Sequence, residues 1–267
     1  MDHPAQTLRP LPAAVGTLEI TIVVPVWNES AELWANCRRW AGFPHVKEII
    51  VAVAGPPSPA SNFHPCIRFV ACTQANRGAQ QKRGADAATG NVLLFHHADS
   101  DLLPEHTAAL ADALATPAVM GGAFVRAFDD RHPWLKWLER FAAWQQARWG
   151  ALYGDQSIFV RRAHYEAIGG YPPIPLMEDV AFSRTLRRSG RIALLHPPLA
   201  TSARRHTRQG SWRTSLRNGT LLLLYRIGVS PFRLHRWYYR DLQSRSILAL
   251  VWRELICRRA PASPPIS

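Results

Sequence analysis

The stretch from Asn91 to Pro104, N-V-L-L-F-H-H-A-D-S-D-L-L-P, is a short apolar run that leads directly into acidic residues. The run Val92–Phe95 predicts a buried strand, and Pro104 fits the first turn of a following helix. Asp99 and Asp101 lie between this strand and this helix. The strand is so apolar that solubility does not explain the two acids that follow it. Their carboxylates suit Mg²⁺ or Mn²⁺, hard ions that keep water and phosphate oxygens as further ligands. Alternatively, Asp99 caps the following loop or helix.

Three more apolar runs precede this stretch and alternate with helical patterns. The predicted strands are Glu19–Val26, Lys47–Ala54 and Ile67–Ala71, and the predicted helices are Ser30–Trp40 and Gly78–Thr89, the second ended by Gly90. Strands that alternate with helices in this way predict a parallel sheet covered by helices on both faces. Ligands collect at the carboxyl ends of the strands in such sheets. We therefore expect Asn28-Glu29, after the first strand, and His97 to Asp99, after the fourth, at one edge.

The rest of the chain predicts further elements and an aromatic stripe. The further strands are Val119–Phe128, Gly154–Val160 and Ile192–Leu195, and the further helices are Pro104–Ala115, Pro133–Trp149, Glu178–Ser189 and one or two helices over Trp212–Cys257, broken at Ser230-Pro231. Tryptophan and phenylalanine recur at helical spacing from 133 to 149. This stripe predicts core packing, or alternatively an acceptor platform or a membrane-facing surface.

Length and composition indicate one large α/β domain, or a core with a smaller appendage. Of the 267 residues, 47% are apolar and 19% charged, which predicts a packed core. The four cysteines lack Cys-x-x-Cys and zinc-ligand spacings, as is typical of a reducing compartment. No signal peptide is predicted, and no segment approaches the roughly 20 apolar residues of a membrane span. We expect a cytoplasmic protein, free or peripherally attached to the inner face of the cell membrane.

Positive charge is concentrated towards the carboxyl terminus. The net charge is +13, and the segment Arg204–Arg259 contains thirteen arginines and two acids, a net charge of +11. Such a segment predicts an anionic partner, with nucleic acid, an anionic membrane and a phosphorylated ligand all eligible, or else only a solvated surface. Its apolar residues favour the membrane over nucleic acid, because they give an amphipathic surface. They are Trp212, Leu221–Leu224, Trp237, Tyr238 and Trp252.

Two further clusters contain residues suited to chemistry. Glu178 and Asp179 follow the rigid segment Pro172–Pro175. Adjacent acids raise the pKa of one another, which suits a general base, but acids also simply favour the first turn of a helix. Arg77 and Lys82 lie around the start of the predicted second helix, where they would face a phosphate group or only solvent.

Four segments, in this order, make the chain resemble the inverting family 2 glycosyltransferases. They are Pro25–Glu29 (P-V-W-N-E), Gly90–Asp99, Gly154–Arg162 and Gly169–Asp179, and they are extended by Thr201–Arg205 and Gly228–Pro231. Within this family the chain is similar to a bacterial subgroup labelled arsenosugar-biosynthesis-like. The likeness runs from about Ile20 to Tyr239, nearly the whole chain.

The resemblance implies a glycosyltransferase A fold, a Rossmann-like domain with a mixed, mostly parallel sheet and helices on both faces. It implies a nucleotide-sugar donor, Mg²⁺ or Mn²⁺, and an acceptor that the sequence does not identify; a lipid-linked acceptor would suit membrane attachment. Asp99 stands where the family's Asp-x-Asp motif ends and would bind the metal, with Asp101 ranked second. Asp179, with Glu178 beside it, would deprotonate the acceptor hydroxyl. The donor would contact Pro25, Asn28, Glu29, Arg77, His97, Arg204 and Arg205.

One position departs from the family pattern. The family's second strand is usually followed by an aspartate that holds the nucleobase, and Val53 stands in its place. A buried valine cannot accept a hydrogen bond from the base. Either the base is held otherwise, or the donor is unusual, or donor binding has been lost and the chain is a non-catalytic binding protein of this fold. We expect a catalytic domain over 19–205, a basic amphipathic helical extension over 206–259, and flexible ends at 1–18 and 260–267.

Overall fold

The computed structural model describes residues 17–55, 64–73, 75–128, 152–201 and 211–240. Within these ranges the chain forms one eight-stranded sheet with helices packed on it. The strands are β1 (Ile20–Val26), β2 (Val46–Ala54), β3 (Ile67–Cys72), β4 (Val92–Phe95), β5 (Ser100–Asp101), β6 (Val119–Phe128), β7 (Ile158–Arg161) and β8 (Arg191–Thr201). The helices are α1 (Ala31–Trp40), α2 (Arg77–Asp86), α3 (Pro104–Leu114), α4 (Arg162–Ala167), α5 (Glu178–Ser189), α6 (Ser211–Arg226) and α7 (Pro231–Arg240), and a 3-10 helix spans Gly154–Gln156.

The sheet is mixed and mostly parallel, with the strand order β3-β2-β1-β4-β7-β6-β8-β5. β1 runs parallel to β2 and β4, and β2 runs parallel to β3. β7 is antiparallel to both its neighbours, β4 and β6, so β6 runs in the same direction as β4. β8 is parallel to β6, and β5 is antiparallel to β8 at the edge of the sheet. The predicted glycosyltransferase A architecture is confirmed. All strands except β5 and β7 end at one edge of the sheet, which we call the carboxyl edge, and β7 begins there.

Side chains of the central strands pack alternately into two cores, one on each face of the sheet. On one face, Ile22 of β1 packs with Leu33 of α1 and Leu110 of α3. On the other, Val23 packs with Phe182 of α5. Burial of each such apolar side chain stabilises the fold by roughly 1.5–3 kcal/mol. Because both faces are covered, the parallel strands read as continuous apolar runs rather than as alternating patterns.

The predicted end of the second helix at Gly90 is wrong. α2 ends at Asp86, and Ala87 is its C-cap. Gly90 is required for packing instead, because a Cβ at this position would lie 2.5 Å from the carbonyl oxygen of Glu19. Its N–H donates a hydrogen bond to the hydroxyl of Thr21. The glycine therefore lets the chain enter β4 directly beside β1.

The predicted strand Gly154–Val160 is wrong in its first half. Gly154–Gln156 form the 3-10 helix, and β7 begins only at Ile158. Ser157 separates the two with a left-handed backbone, at a φ of 51°, which a residue other than glycine adopts only at a cost in free energy. This residue separates the 3-10 helix from β7.

Three other features differ from the predicted pattern. β8 extends to Thr201 although Pro197 and Pro198 lie inside it, and the short β5 and α4 carry too few residues for a period to show. The predicted aromatic helix Pro133–Trp149, the two termini and residues 241–267 lie outside the described residues. None of the described helices is long and apolar enough to cross a membrane.

Candidate active site

Polar side chains from five parts of the chain lie at the carboxyl edge. They come from the loops after β1 and β4, from the starts of α2 and α5, and from the 3-10 helix before β7. These parts are far apart in sequence and meet because the strands that carry them end together.

Glu178 and Asp179, the acid pair, open α5. Met177 precedes them in a left-handed conformation, at a φ of 64°, which turns the chain into the helix. Glu178 is buried and Asp179 is half-buried. The Asp179 Oδ2 accepts a hydrogen bond from the Gly154 N–H at 2.7 Å, and its Oδ1 accepts one from the Val180 N–H at 2.8 Å. Two backbone donors therefore fix the Asp179 carboxylate.

Arg77 opens α2 and lies against the acid pair, with its Nε 3.1 Å from Oε1 of Glu178. Its Nε and Nη2 are inaccessible to solvent although 29% of the side chain is exposed, so most of the guanidinium is buried. Burial opposes this charge, but the carboxylates of Glu178 and Asp179 outweigh burial and raise the pKa of Arg77. Burial also raises the pKa of the Glu178 carboxyl to about 7, an effect that Arg77 opposes and Asp179 reinforces.

Tight packing places the first turn of α2 beside the acid pair. Asn76 caps the helix with its side chain, and its Nδ2 donates to the carbonyl oxygen of Pro173 at 3.1 Å. A Cβ at Gly78 would lie 2.3 Å from the carbonyl oxygen of Pro172. Glycine at position 78 therefore allows α2 to pack closely against the segment that leads into Glu178.

The 3-10 helix Gly154–Gln156 lies against both Arg77 and Asp179. A Cβ at Gly154 would lie 2.3 Å from Nη2 of Arg77 and 3.3 Å from Oδ2 of Asp179, so a larger residue would displace the guanidinium. Asp155 ties this helix to β6 through an ion pair of 2.7 Å between its Oδ2 and Nη1 of Arg126. The sequence predicts neither Asp155 nor Arg126 as a site residue. Asp155 lies in Gly154–Arg162, one of the four segments that carry the family resemblance, and no other feature of the sequence indicates it.

A buried histidine fixes the loop after β4. The Nδ1 of His96 lies 2.7 Å from Oγ of Ser157, and its Nε2 lies 3.2 Å from the carbonyl oxygen of Ser100. The Trp40 ring meets it edge-on, with 4.7 Å between the ring centroids. Burial lowers the pKa of His96 to about 3, so the ring is neutral at neutral pH. His96 thereby ties the loop that carries Asp99 to the segment before β7.

Asp99 and Asp101, the predicted metal ligands, lie in different settings. The Asp99 side chain is exposed, and its Oδ1 is 3.4 Å from Nδ1 of His97. Asp101 belongs to β5, and its Oδ1 accepts a hydrogen bond from Nη2 of Arg39 at 2.8 Å. In the described part of the chain, no three His, Cys, Asp or Glu side chains cluster as metal ligands would. A metal at Asp99 would therefore take most of its ligands from water and from the substrate.

The carboxyl ends of β1 and β2 lie side by side, and one position there differs from the family pattern. Pro25 pairs with Ala52, and Val26 pairs with Val53, across these two strands. Val53 is buried in the core, 4% exposed, so β2 presents no acid at this position. The Gln80 Nε2 donates to the carbonyl oxygens of Val26 at 2.7 Å and Ala52 at 2.8 Å.

The other predicted donor contacts lie in the loop after β1 or outside the described residues. Asn28 is exposed and Glu29 is half-buried. Between β1 and these residues, Trp27 contacts Tyr239 of α7, with ring centroids 5.8 Å apart. Arg204 and Arg205 lie outside the part of the chain that the structure describes.

Residues 21–168 match the family model described as glycosyl transferase family 2. This match spans more than half of the 267 residues. The chain belongs to glycosyl transferase family 2. The match identifies the family and not the arsenosugar-biosynthesis-like subgroup, which stays a prediction. No curated protein sequence matches this chain.

Solved structures share the fold at low sequence identity. The mannosyltransferase PcManGT from Pyrobaculum calidifontis, in complex with GDP-Man and Mn²⁺, has a TM-score of 0.58 at 16% identity, over 92% of this chain and 82% of that one. GalNAc-T7 with UDP, GalNAc and Mn²⁺ has a TM-score of 0.54 at 11% identity, over 70% and 44%. TarS 1-349 from S. aureus has a TM-score of 0.53 at 10% identity, over 83% and 72%.

Proposed function

We propose that this protein is an inverting glycosyltransferase that moves a sugar from a nucleotide-sugar donor to a hydroxyl acceptor, with Asp179 as the general base. The observation that carries the proposal is the setting of Asp179, whose carboxylate is half-buried at the carboxyl edge and held by two backbone N–H groups. A carboxylate oxygen has two lone pairs, so each Asp179 oxygen can still accept a proton from an acceptor hydroxyl. Inversion needs a base fixed on the face opposite the leaving group, and a rigid carboxylate suits that role.

The neighbours of Asp179 take supporting roles in this proposal. Glu178 is buried and engaged by Arg77, so it does not compete for the acceptor proton. Arg77 was also predicted to contact the diphosphate, but its guanidinium lies on Glu178 and under the influence of Asp179. We assign Arg77 to holding the acid pair in place. Its positive charge attracts both carboxylates of the pair.

Asp99 is the protein ligand that we propose for Mg²⁺ or Mn²⁺, with His97 beside it. The fit is chemical: an exposed carboxylate in a loop tied down by His96 offers a hard oxygen ligand at the edge where a donor would lie. A divalent ion held there would neutralise the negative charge that develops on the departing diphosphate. Asp101 ranks second because Arg39 already neutralises it. PcManGT and GalNAc-T7 were both solved with Mn²⁺, which supports a divalent ion.

Calorimetry with UDP, GDP and dTDP sugars in the presence of Mn²⁺ tests donor binding, and hydrolysis of a bound donor tests turnover without a known acceptor. We expect Asp179→Asn to keep donor affinity and to lower turnover by about 100-fold or more. Asp99→Asn is expected to remove the dependence of donor binding on Mn²⁺. Asp112→Asn, an exposed acid on α3, is the matched control and should behave like the unaltered protein. Absence of donor binding across the whole panel would sink the proposal.

A second candidate is a non-catalytic binding protein of the same fold, which Val53 favours. The aspartate that usually holds the nucleobase in the family is replaced here by Val53, which packs in the core. This candidate predicts that a nucleotide or sugar binds without turnover, and that Asp179→Asn changes no measured property. Turnover of any donor that depends on Asp179 would rule it out.

A further inference from the structure

The helices α6 and α7 form a hairpin whose inner face is already filled. Leu221 and Leu224 of α6 and Leu234 of α7 are buried against one another. Trp237 and Tyr238 pack against this cluster, and Arg217 lies over the Tyr238 ring at 4.8 Å. The sequence predicts a lipid-facing surface that includes Leu221–Leu224, Trp237 and Tyr238. The structure corrects this for Leu221 and Leu224, which are buried inside the hairpin, whereas Leu223 is exposed and Trp237 and Tyr238 are half-buried.

A different set of apolar side chains points outward from the hairpin. Leu216, Leu223 and Ile227 are 57%, 61% and 67% exposed, and Phe232 at the start of α7 is 56% exposed. Leu216 and Leu223 of α6, and Ile227 directly after its last residue, are spaced by seven and four positions. The Ile227 N–H still donates to the carbonyl oxygen of Leu223, at 3.0 Å, so the three lie on one side of the helix. We call these four residues the outer stripe. Scattered exposed apolar residues are ordinary, but a run of four on one hairpin indicates a contact surface.

The hairpin carrying the outer stripe is strongly basic. Residues 211–240 contain six arginines and no acid, a net charge of +6. Arg226 and Arg236 are exposed. Arginine beside exposed leucine, isoleucine and phenylalanine is the composition of a helix that lies in a lipid headgroup region, where the guanidinium groups meet anionic headgroups and the apolar side chains enter below them.

We propose that the α6–α7 hairpin docks on an anionic membrane surface through the outer stripe. Charge complementarity selects this occupant over a second copy of the chain, because two hairpins that each carry a net charge of +6 would repel each other. It also selects lipid over nucleic acid, since phosphate binding gives no use for four exposed apolar side chains.

The docked hairpin would lie beside the candidate active site. Leu176 and Met177 pack against its inner cluster, directly before the acid pair. Tyr239 contacts Trp27 in the loop after β1. If the proposed glycosyl transfer holds, on which this last step alone rests, the acceptor is an amphiphile whose hydroxyl lies at the membrane surface.

Co-sedimentation of the full chain with vesicles of phosphatidylcholine, with and without phosphatidylglycerol, tests the docking. The variant Leu223→Gln/Ile227→Gln changes the outer stripe without changing charge. The matched control is Leu194→Gln on β8, an exposed leucine, 42% accessible, that lies away from the hairpin. We expect the unaltered chain to bind the anionic vesicles and to be released by salt, and the double variant to bind about tenfold or more weakly. The control should bind like the unaltered chain.

Four outcomes would overturn the docking proposal. The first three are absence of binding to anionic vesicles, equal binding by the double variant, and an equal loss in the Leu194→Gln control. The fourth is a dimer of the unaltered chain that forms without vesicle binding and that the double substitution dissociates, which would assign the outer stripe to self-association. Donor binding, measured in solution on the same preparations, reports on the proposed function separately. Intact donor binding by the double variant also shows that it is folded.

Discussion

Replacing Arg77 by methionine keeps the length of the stem and removes the positive charge that lies 3.1 Å from Glu178. Glu178 is buried, so its ionised form then has no adjacent cation to offset the cost of desolvation. The folded state can avoid that cost only by keeping Glu178 protonated. We therefore expect Arg77→Met to lower the free energy of unfolding by an amount that grows with pH.

The size of this effect follows from proton linkage. A carboxyl whose pKa is higher in the folded protein binds its proton more tightly there, so the folded state loses stability as pH rises from the unfolded pKa to the folded pKa. For Glu178 the pKa rises from 4.5 to about 7, and the loss ends above that window. Without Arg77 the folded pKa moves higher, and the loss continues above pH 7 at about 1.4 kcal/mol per pH unit. With lost packing included, we expect a cost of about 1 kcal/mol at pH 6 and about 3–4 kcal/mol at pH 9.

Urea unfolding followed by tryptophan fluorescence at both pH values measures the difference. The double variant Arg77→Met/Glu178→Gln lacks the buried carboxyl. The free energy of unfolding that it loses relative to Glu178→Gln should therefore be the same at both pH values. A cost of Arg77→Met that does not change between pH 6 and pH 9 would refute the reasoning, because the ion pair would then contribute no charge-dependent stability.

Two further substitutions test the geometry around the acid pair. Gly154→Ala places a Cβ 2.3 Å from Nη2 of Arg77 and should lower turnover while the fold is retained. In the control Gly42→Ala, the Cβ meets its nearest atom at 3.6 Å, and turnover should be unchanged. Steady-state kinetics measure the turnover of both variants, and circular dichroism checks their fold. Ser157→Ala leaves Nδ1 of His96 without the hydroxyl that lies 2.7 Å away, which should cost about 1–3 kcal/mol in urea unfolding; an unchanged stability would show that this hydrogen bond contributes nothing.

The sequence predicted the sheet well where the physical signal is local. Strands covered on both faces are almost entirely apolar, so β1, β2 and β4 could be identified from composition alone. A glycine is harder to interpret, because a C-cap and a close backbone contact both need one. Gly90 has the second role, through its approach to Glu19, which is 71 positions earlier and directly precedes β1. The 3-10 helix before β7 is too short to show a periodic pattern of apolar residues, so the sequence predicts it as part of the strand.

The candidate site was predictable only in part, for the same reason. Glu178 and Asp179 stand out because they are adjacent and follow prolines. The pairing of Arg77 with Glu178 joins positions 101 apart, and no pattern near either residue indicates it. The sequence suggested phosphate as the partner of Arg77, since a cation at a helix start often has that role. In the structure Arg77 lies against the carboxylate of Glu178.

Gln80 joins the ends of β1 and β2. One buried amide group donates to a carbonyl oxygen of each strand, at Val26 and Ala52. An amide does not titrate, so these two contacts do not depend on pH. Glutamate has nearly the same shape but no hydrogen to give when ionised, and in place of Gln80 it would set a negative charge against two carbonyl oxygens. A change of one atom type at position 80 is therefore enough to turn two attractive contacts at these strand ends into repulsive ones.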